Sequence, residues 1–330
     1  MRAMLNRRTL LATGALAAPA FIRAQGLSAP QKVVFATNWK AQAAHGGFYQ
    51  ALVDGTYAKA GLAVEIRQGG PQVNNRPLLP AGKVDFLMTG NLLHAFDHAK
   101  MGVPTLCVAA VFQKDPQALI AHPGQGFEQF AALAKAPRAW IAKDLQFTTW
   151  QWLKQAHGFR DEALRPYNYT LGPFLAEKRS IQQAYSVAEP IYVKEQGGFD
   201  PVVHLIADHG WRSYSTLIDA RADTVAKQPD LVKRFVDASI AGWKAYVSGS
   251  VAQRAAADAR MRQDNPEMKQ AELLASHALM VGQGLVGDVA TLGRLRLAQV
   301  DGFLQDMVKA GLYKPGEVKL AQVASERFTG

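Results

Sequence analysis

The sequence predicts an α/β protein of two lobes, each built on a mostly parallel sheet. Three observations predict it. Short β-rich runs alternate with segments of helical periodicity, the alternation starts again near Ala118, and the chain from Ala222 onward reads as helix almost throughout. A length of 330 residues suits one large or two ordinary domains, and 48% hydrophobic content supplies a real core.

The elements follow in order. Lys32 to Ala36 is a short β-rich run closed by Thr37-Asn38-Trp39, and Gly46 to Lys59 carries Phe48, Tyr49, Leu52 and Val53 at helical intervals. Gly61 stops that helix, and Ala63 to Arg67 is the second strand, ended by Gly69-Gly70-Pro71. A helix over 73–81 leads to the strand Val84 to Met88, and a helix over 91–101 leads to the strand Thr105 to Phe112. This βαβαβαβ order implies parallel strands with helices on both faces. The second unit has strands at 118–121, 139–142, 182–186 and 202–206, with helices over 127–134 and 148–157. Pro229 then opens a long helix whose Leu231, Val232, Phe235, Val236, Ile240, Trp243 and Val247 form one apolar stripe.

The first 25 residues read differently. Arg7-Arg8 precede the small and apolar run Ala12 to Phe21, with small residues again near Ala24. This is the pattern of an export signal of the twin-arginine kind, cleaved near Ala24-Gln25. The apolar stretch is too short to span a bilayer, and Gly14, Pro19 and Arg23 interrupt it. The whole chain carries +10, and removing this leader, with four arginines and no acid, leaves +6. The remaining basic residues are scattered, which speaks against nucleic-acid binding. The single cysteine, Cys107, lies in an apolar run, so it reads as a buried, inert thiol and not as a lipid-attachment site. These features point to a soluble periplasmic protein without a lipid anchor.

In open α/β sheets ligands bind beyond the carboxyl ends of the strands. The loops there hold Asn38, Trp39 and His45, then Gln68, Asn74 and Asn75, then Thr89 and Asn91. In the second unit they hold Gln146, Phe147, Thr148 and Thr149, then Ser186 and Glu189. Aromatic walls with a few directed polar groups describe a small-molecule pocket better than a catalytic centre. No Gly-x-Ser-x-Gly elbow or paired-cysteine metal site occurs. His94 and His98 have the i, i+4 spacing of a helical metal pair, but Leu92, Leu93 and Phe96 are expected to take the core side and leave both histidines wet. Gly282-Gln283-Gly284-Leu285-Val286-Gly287 matches a dinucleotide fingerprint in letters only, because a helical stretch and not a strand precedes it.

The run Asn38-Trp39 … His45-Gly46-Gly47-Phe48-Tyr49-Gln50-Ala51 resembles the opening of substrate-binding proteins of the sulfonate-binding and thiamine-pyrimidine (NMT1/THI5-like) group. Leu79-Pro80-Ala81-Gly82-Lys83-Val84-Asp85-Phe86, Gln183 to Pro190 and Gln228 to Val236 resemble later segments of the same group, in the same order. The resemblance implies a type II periplasmic binding protein fold, with a two-crossing hinge near 113–117 and 208–214. Lobe one then comprises 26–114 and 212–330, and lobe two 115–211. It implies a monomeric receptor with no cofactor that delivers a small molecule to the membrane permease subunits of an ABC importer, or to a sensor.

The resemblance also implies site roles. Trp39 offers a flat stacking wall with Asn38 and His45 beside it, and Thr89 and Asn91 follow on the same lobe. Phe147, Thr148 and Thr149 meet the ligand from the other lobe, and Glu189 accepts from an amino group or ring nitrogen. The group's Gly/Ser-rich turn is replaced by Asp144-Leu145-Gln146-Phe147, which argues against a simple sulfonate cradle. That departure leaves the ligand class open; the favoured ligand is an aromatic nitrogen heterocycle such as a thiamine-type pyrimidine, with a sulfonate- or nitrate-type anion as the alternative. Fungal relatives that make the thiamine pyrimidine have a lysine where this chain has Thr89, and a cysteine-rich run that it lacks, so an enzyme is not expected.

Overall fold

The structure, a computed structural model, describes residues 29–70 and 73–329. The export-signal segment lies outside the described residues. Ten strands are present among them: β1 (Gln31–Ala36), β2 (Leu62–Arg67), β3 (Phe86–Thr89), β4 (Thr105–Phe112), β5 (Gln117–Ala121), β6 (Arg138–Ile141), β7 (Leu164–Pro166), β8 (Ser180–Tyr185), β9 (Val202–Leu205) and β10 (Ser215–Arg221). They form two five-stranded sheets, ordered β2-β1-β3-β10-β4 and β7-β6-β8-β5-β9. The chain passes from the first sheet to the second between Phe112 and Gln117, and returns between Leu205 and Ser215.

In each sheet four strands run one way and one runs against them. β10 is antiparallel to both β3 and β4, and β5 is antiparallel to both β8 and β9. These two strands are the ones the chain enters directly on crossing over. A strand that starts where its predecessor has just ended begins at the cleft, so it must run opposite to strands that finish there. The α/β class and mostly parallel sheets agree with the sequence reading. β10, which gives no strand signal in the sequence, lies between β3 and β4. Asp219 and Arg221 break what would otherwise be an apolar strand signal in β10.

Three helices also differ from their sequence reading. The segment 46–59 is two helices, Gly46–Val53 and Thr56–Lys59, divided at Gly55, whose φ of +68° no regular helix accommodates. The described part of 73–81 holds only a 3₁₀ turn, Arg76–Leu78, and 127–134 becomes the 3₁₀ segment Phe130–Lys135.

One face of the first sheet packs Phe35, Phe86 and Met88 under the helices Gly46–Val53 and Pro229–Ser248. Phe86 and Phe235 stack at 4.0 Å between centroids, and Phe35 meets Phe48 at 4.7 Å. The other face, with Cys107 and Leu217, packs under the helix Leu92–Lys100 and joins Trp211, Phe303 and the Leu119–Ile181 side of the second sheet. Burial drives the Cys107 thiol pKa well up, as an inert core thiol requires. Asp85 closes the β1–β3 edge: its Oδ2 accepts from the Val34 N–H at 2.8 Å, and its own N–H donates to the Val34 carbonyl at 2.9 Å.

Candidate ligand site

The carboxyl ends of both sheets meet at the cleft, and the loops there bring aromatic rings from both sides together. Trp39, just after β1, lies 5.2 Å from Tyr169, which follows β7 in the other sheet. Tyr169 in turn lies 5.3 Å from Tyr167. The Tyr167 hydroxyl donates to Glu189 Oε1 at 3.1 Å, and the Tyr185 N–H donates to Glu189 Oε2 at 2.7 Å. Glu189 opens the helix Glu189–Gly197, where the helix dipole favours a negative charge. Burial raises its carboxyl pKa, and the hydrogen bonds from Tyr185, its own N–H and Tyr167 oppose the rise. No lysine or arginine among the described residues pairs with it. Burial and then the Glu189 charge push the Tyr167 phenol pKa up, so it stays a donor.

The other expected site residues are placed as follows. Asn38 is exposed beside Trp39, with Gly69 and Gly90 packed around it. Thr89 is buried and donates its hydroxyl to Asp219 Oδ2 at 3.1 Å. Asn91 caps the helix Leu92–Lys100 by accepting from the Leu93 N–H at 3.1 Å, and Ser213 Oγ accepts from the Leu92 N–H at 3.1 Å. His45 is fully buried, and desolvation pulls its imidazole down to about 3, so it is neutral. Phe147 is 70% exposed, and Thr148 precedes the helix Thr149–His157. Thr149 is buried in the second lobe, where it lines a small cavity with Trp150, Leu153 and Gln183. The structure thus brings Trp39 and Glu189 into one aromatic cluster, while Thr89, Asn91 and Thr149 make contacts away from it.

Tyr167 and Tyr169 were missing from the sequence reading. They follow β7, a strand of three residues ending in proline, which gives almost no periodic signal. A Tyr-Asn-Tyr-Thr run after any strand would have flagged the loop. The loop amides predicted from sequence instead tie the first lobe together: Gln68 accepts from the Ala41 N–H and donates to the Asp264 carbonyl at 2.7 Å, and Asn75 donates to the Thr37 carbonyl at 2.8 Å.

Of the two histidines expected on a wet face, His98 is buried and His94 keeps only its side chain largely inside. His94 Nδ1 lies 3.4 Å from Asp219 Oδ2, the rings of His94 and His98 are 4.1 Å apart, and His98 Nδ1 meets Thr105 Oγ1 at 2.7 Å. β10, unseen in the sequence, puts the Asp219 carboxylate beneath this helix, close to the His94 imidazole. Burial, then His94, pulls His98 down to about 4. Among the described residues no cluster of three or more His, Cys, Asp or Glu could hold a metal. The Gly282–Gly287 turn follows the helix Gln270–Gly282, as the sequence reading required, and Gln283 Oε1 accepts from Ser186 Oγ at 2.6 Å.

The overall architecture is that of periplasmic binding proteins. The nitrate-binding protein NrtA from Synechocystis PCC 6803 superposes with a TM-score of 0.63 at 14% identity, covering 90% of this chain and 87% of its own. The alkanesulfonate-binding protein SsuA from Xanthomonas axonopodis pv. citri, bound to MOPS, gives a TM-score of 0.62 at 14% identity, with 90% and 99% covered. The desulfurization enzyme DSZB gives 0.58 at 14% identity, with 91% and 97% covered, so the fold alone does not separate receptor from enzyme. No curated protein sequence matches the chain. Residues 42–249 match the NMT1/THI5-like family, and over that span the sequence is the family's own: the chain belongs to the NMT1/THI5-like family.

Proposed function

We propose that the chain is a solute-binding receptor of a periplasmic ABC importer, a monomer whose cleft takes a flat aromatic nitrogen heterocycle such as a thiamine-precursor pyrimidine. Its division into lobes 26–114 with 212–330 and 115–211, and export to the periplasm through residues 1–25, belong to the same proposal. The observation that carries the ligand class is Glu189. A partly buried carboxylate with no cation beside it among the described residues, backed by Tyr167, Tyr169 and Trp39, suits a ligand that is flat and brings N–H donors or positive charge.

An anion fits this cleft less well. Helix N-termini are the natural anion sites of such folds. At the helix Leu92–Lys100 the first amides are taken by Ser213 and Asn91, and at the helix Glu189–Gly197 a carboxylate already occupies the position. Asn38 and His45 flank the Trp39 side in this reading, with Phe147 and Thr148 at the rim. Catalysis has little support: where the fungal pyrimidine synthases need a lysine, Thr89 stands bonded to Asp219.

Thermal-shift and calorimetric titration with aminopyrimidines, nitrate and aliphatic and aromatic sulfonates tests the proposal. A ligand at about 100 times its Kd stabilises by about 2.7 kcal/mol. Trp39→Ala is expected to weaken heterocycle binding about 10- to 100-fold by removing the stacking wall, and Glu189→Gln about 10-fold by removing a charge-assisted acceptor. Stabilisation by sulfonates or nitrate alone would sink the heterocycle reading while leaving the receptor reading intact.

A further inference from the structure

Behind the aromatic cluster the second lobe contains a small cavity that none of the roles above uses. It measures about 30 Å³ and is lined by Trp140, Pro166, Tyr167, Asn168, Thr170, Pro173 and Gln182. Trp140 of β6 and Gln182 of β8 are direct neighbours in the parallel ladder, so their side chains stand together on one face of the sheet. Gln182 is fully buried, and neither its amide oxygen nor its amide nitrogen has a partner among the described residues. The Trp140 indole N–H is buried and likewise without a partner among them. A buried carboxamide and an indole N–H left this way are costly, and such groups in native proteins have a reason to be there.

The cavity's roof is the loop that also carries the ligand-facing aromatics. Tyr167 lines the cavity, and its hydroxyl donates to Glu189 Oε1, so this residue links the cavity to the aromatic cluster. Two residues on, Tyr169 reaches Trp39 and holds φ at +59°, a left-handed conformation that bulky residues rarely adopt. Strain of this kind persists where the surrounding structure imposes it, and it clusters at ligand sites.

We infer that the Gln182–Trp140 cavity is an inner compartment of the ligand site that receives a donor–acceptor edge: an N–H donor beside a nitrogen or oxygen acceptor, as in an aminoazine or a primary amide. The inference rests on the heterocycle reading of the cleft and adds the group that reads the ligand's edge. A carboxamide pairs with such an edge through two hydrogen bonds, its oxygen accepting and its N–H donating. The Trp140 N–H supplies one further donor to the acceptor side. The volume holds about two water-sized atoms, which is enough for the polar edge and not for the ring. Tyr167 is the side chain that moves aside when the edge enters.

The test compares 4-aminopyrimidine compounds with their desamino counterparts, by calorimetry on the purified protein. The wild type is expected to prefer the amino compound about 10-fold or more. Gln182→Met, close in shape and without the amide, is expected to abolish that preference by weakening the amino compound more than its desamino counterpart. Independently, the Trp140 indole N–H resonance, assigned with Trp140→Phe, is expected to shift on adding the amino compound and not its counterpart. A preference that survives Gln182→Met, or a Trp140 resonance that does not move, overturns the inference and leaves the cavity a site for ordered water only. Equal binding of both compounds by the wild type defeats the inner compartment alone. Binding of neither defeats the heterocycle reading as well.

Discussion

Gly242→Ala is expected to destabilise the protein by about 3 kcal/mol or more, whereas Gly302→Ala is expected to stabilise it by up to about 1 kcal/mol. Both glycines lie inside helices, so the difference is packing and not propensity. A Cβ on Gly242 would sit 2.3 Å from the Gly47 carbonyl oxygen, 2.5 Å from Ala51 Cβ and 2.7 Å from the Ala51 nitrogen. Two of these are backbone atoms that no rotamer change can move, so the helices Gly46–Val53 and Pro229–Ser248 would have to part. Their separation would loosen Phe48, Phe235 and Trp243, the rings that anchor both helices to the first sheet. The approach is close from the other side too, since a Cβ on Gly47 would lie 2.5 Å from Trp243 Cα. A Cβ on Gly302, in the helix Leu297–Lys309, would meet no neighbouring element within 4 Å among the described residues, and alanine there only restricts the unfolded chain. Urea denaturation reads both effects as changes in midpoint at constant slope. A Gly242→Ala protein with the wild-type midpoint would mean that the two helices do not meet as closely as described.

That contact also explains what was legible in the sequence. The run His45-Gly46-Gly47-Phe48, one of those on which the family resemblance rests, is in this chain chiefly a helix-crossing motif, and the segment ending in Val84-Asp85 is a strand closure through Asp85. Local periodicity exposed most of the strands and the long Pro229 helix because their partners lie on one repeating face. The rest depended on distant partners. Whether His94 and His98 face water is decided by Asp219, more than a hundred residues away on a strand whose own charges conceal it. Likewise the rule that ligands meet loops after strands pointed to Trp39 and Glu189, two members of the aromatic cluster, but not to Tyr167 and Tyr169, because β7 gives almost no signal. Gln182 had no signal at all, since a lone glutamine in an apolar strand reads as an ordinary core exception.

Trp211→Phe is expected to cost about 2–3 kcal/mol at pH 8 and clearly less at pH 5. Trp211 lies in the second crossing between the sheets and Asp115 in the first, and the indole N–H donates to Asp115 Oδ2 at 2.8 Å. Both residues are fully buried, and the other carboxylate oxygen accepts from the Gln117 N–H at 3.1 Å. Burial raises Asp115 to about 7 from 3.8, while the bonds from Trp211 and Gln117 pull it down. A carboxyl raised on folding binds its proton more tightly in the folded state. Its contribution to stability is therefore whole below its unfolded value of 3.8 and is lost as pH rises through about 7, a swing of at most about 4 kcal/mol. Removing the indole donor takes away an interaction that favours the charged form, so the carboxyl moves higher still and the loss at pH 8 deepens. His45 acts with the opposite sign, because a buried neutral imidazole loses its contribution as pH falls below 6.5 toward about 3. The wild-type profile is flattened by this opposition, but the difference between wild type and variant cancels His45. Denaturation at the two pH values thus isolates the Asp115 contribution. An equal penalty at both would assign Trp211 to packing alone, because only loss of a donor to a titrating carboxylate makes the cost depend on pH. A larger penalty at pH 8 would show that the two crossings are fastened by a charge-assisted hydrogen bond that weakens as the site is acidified.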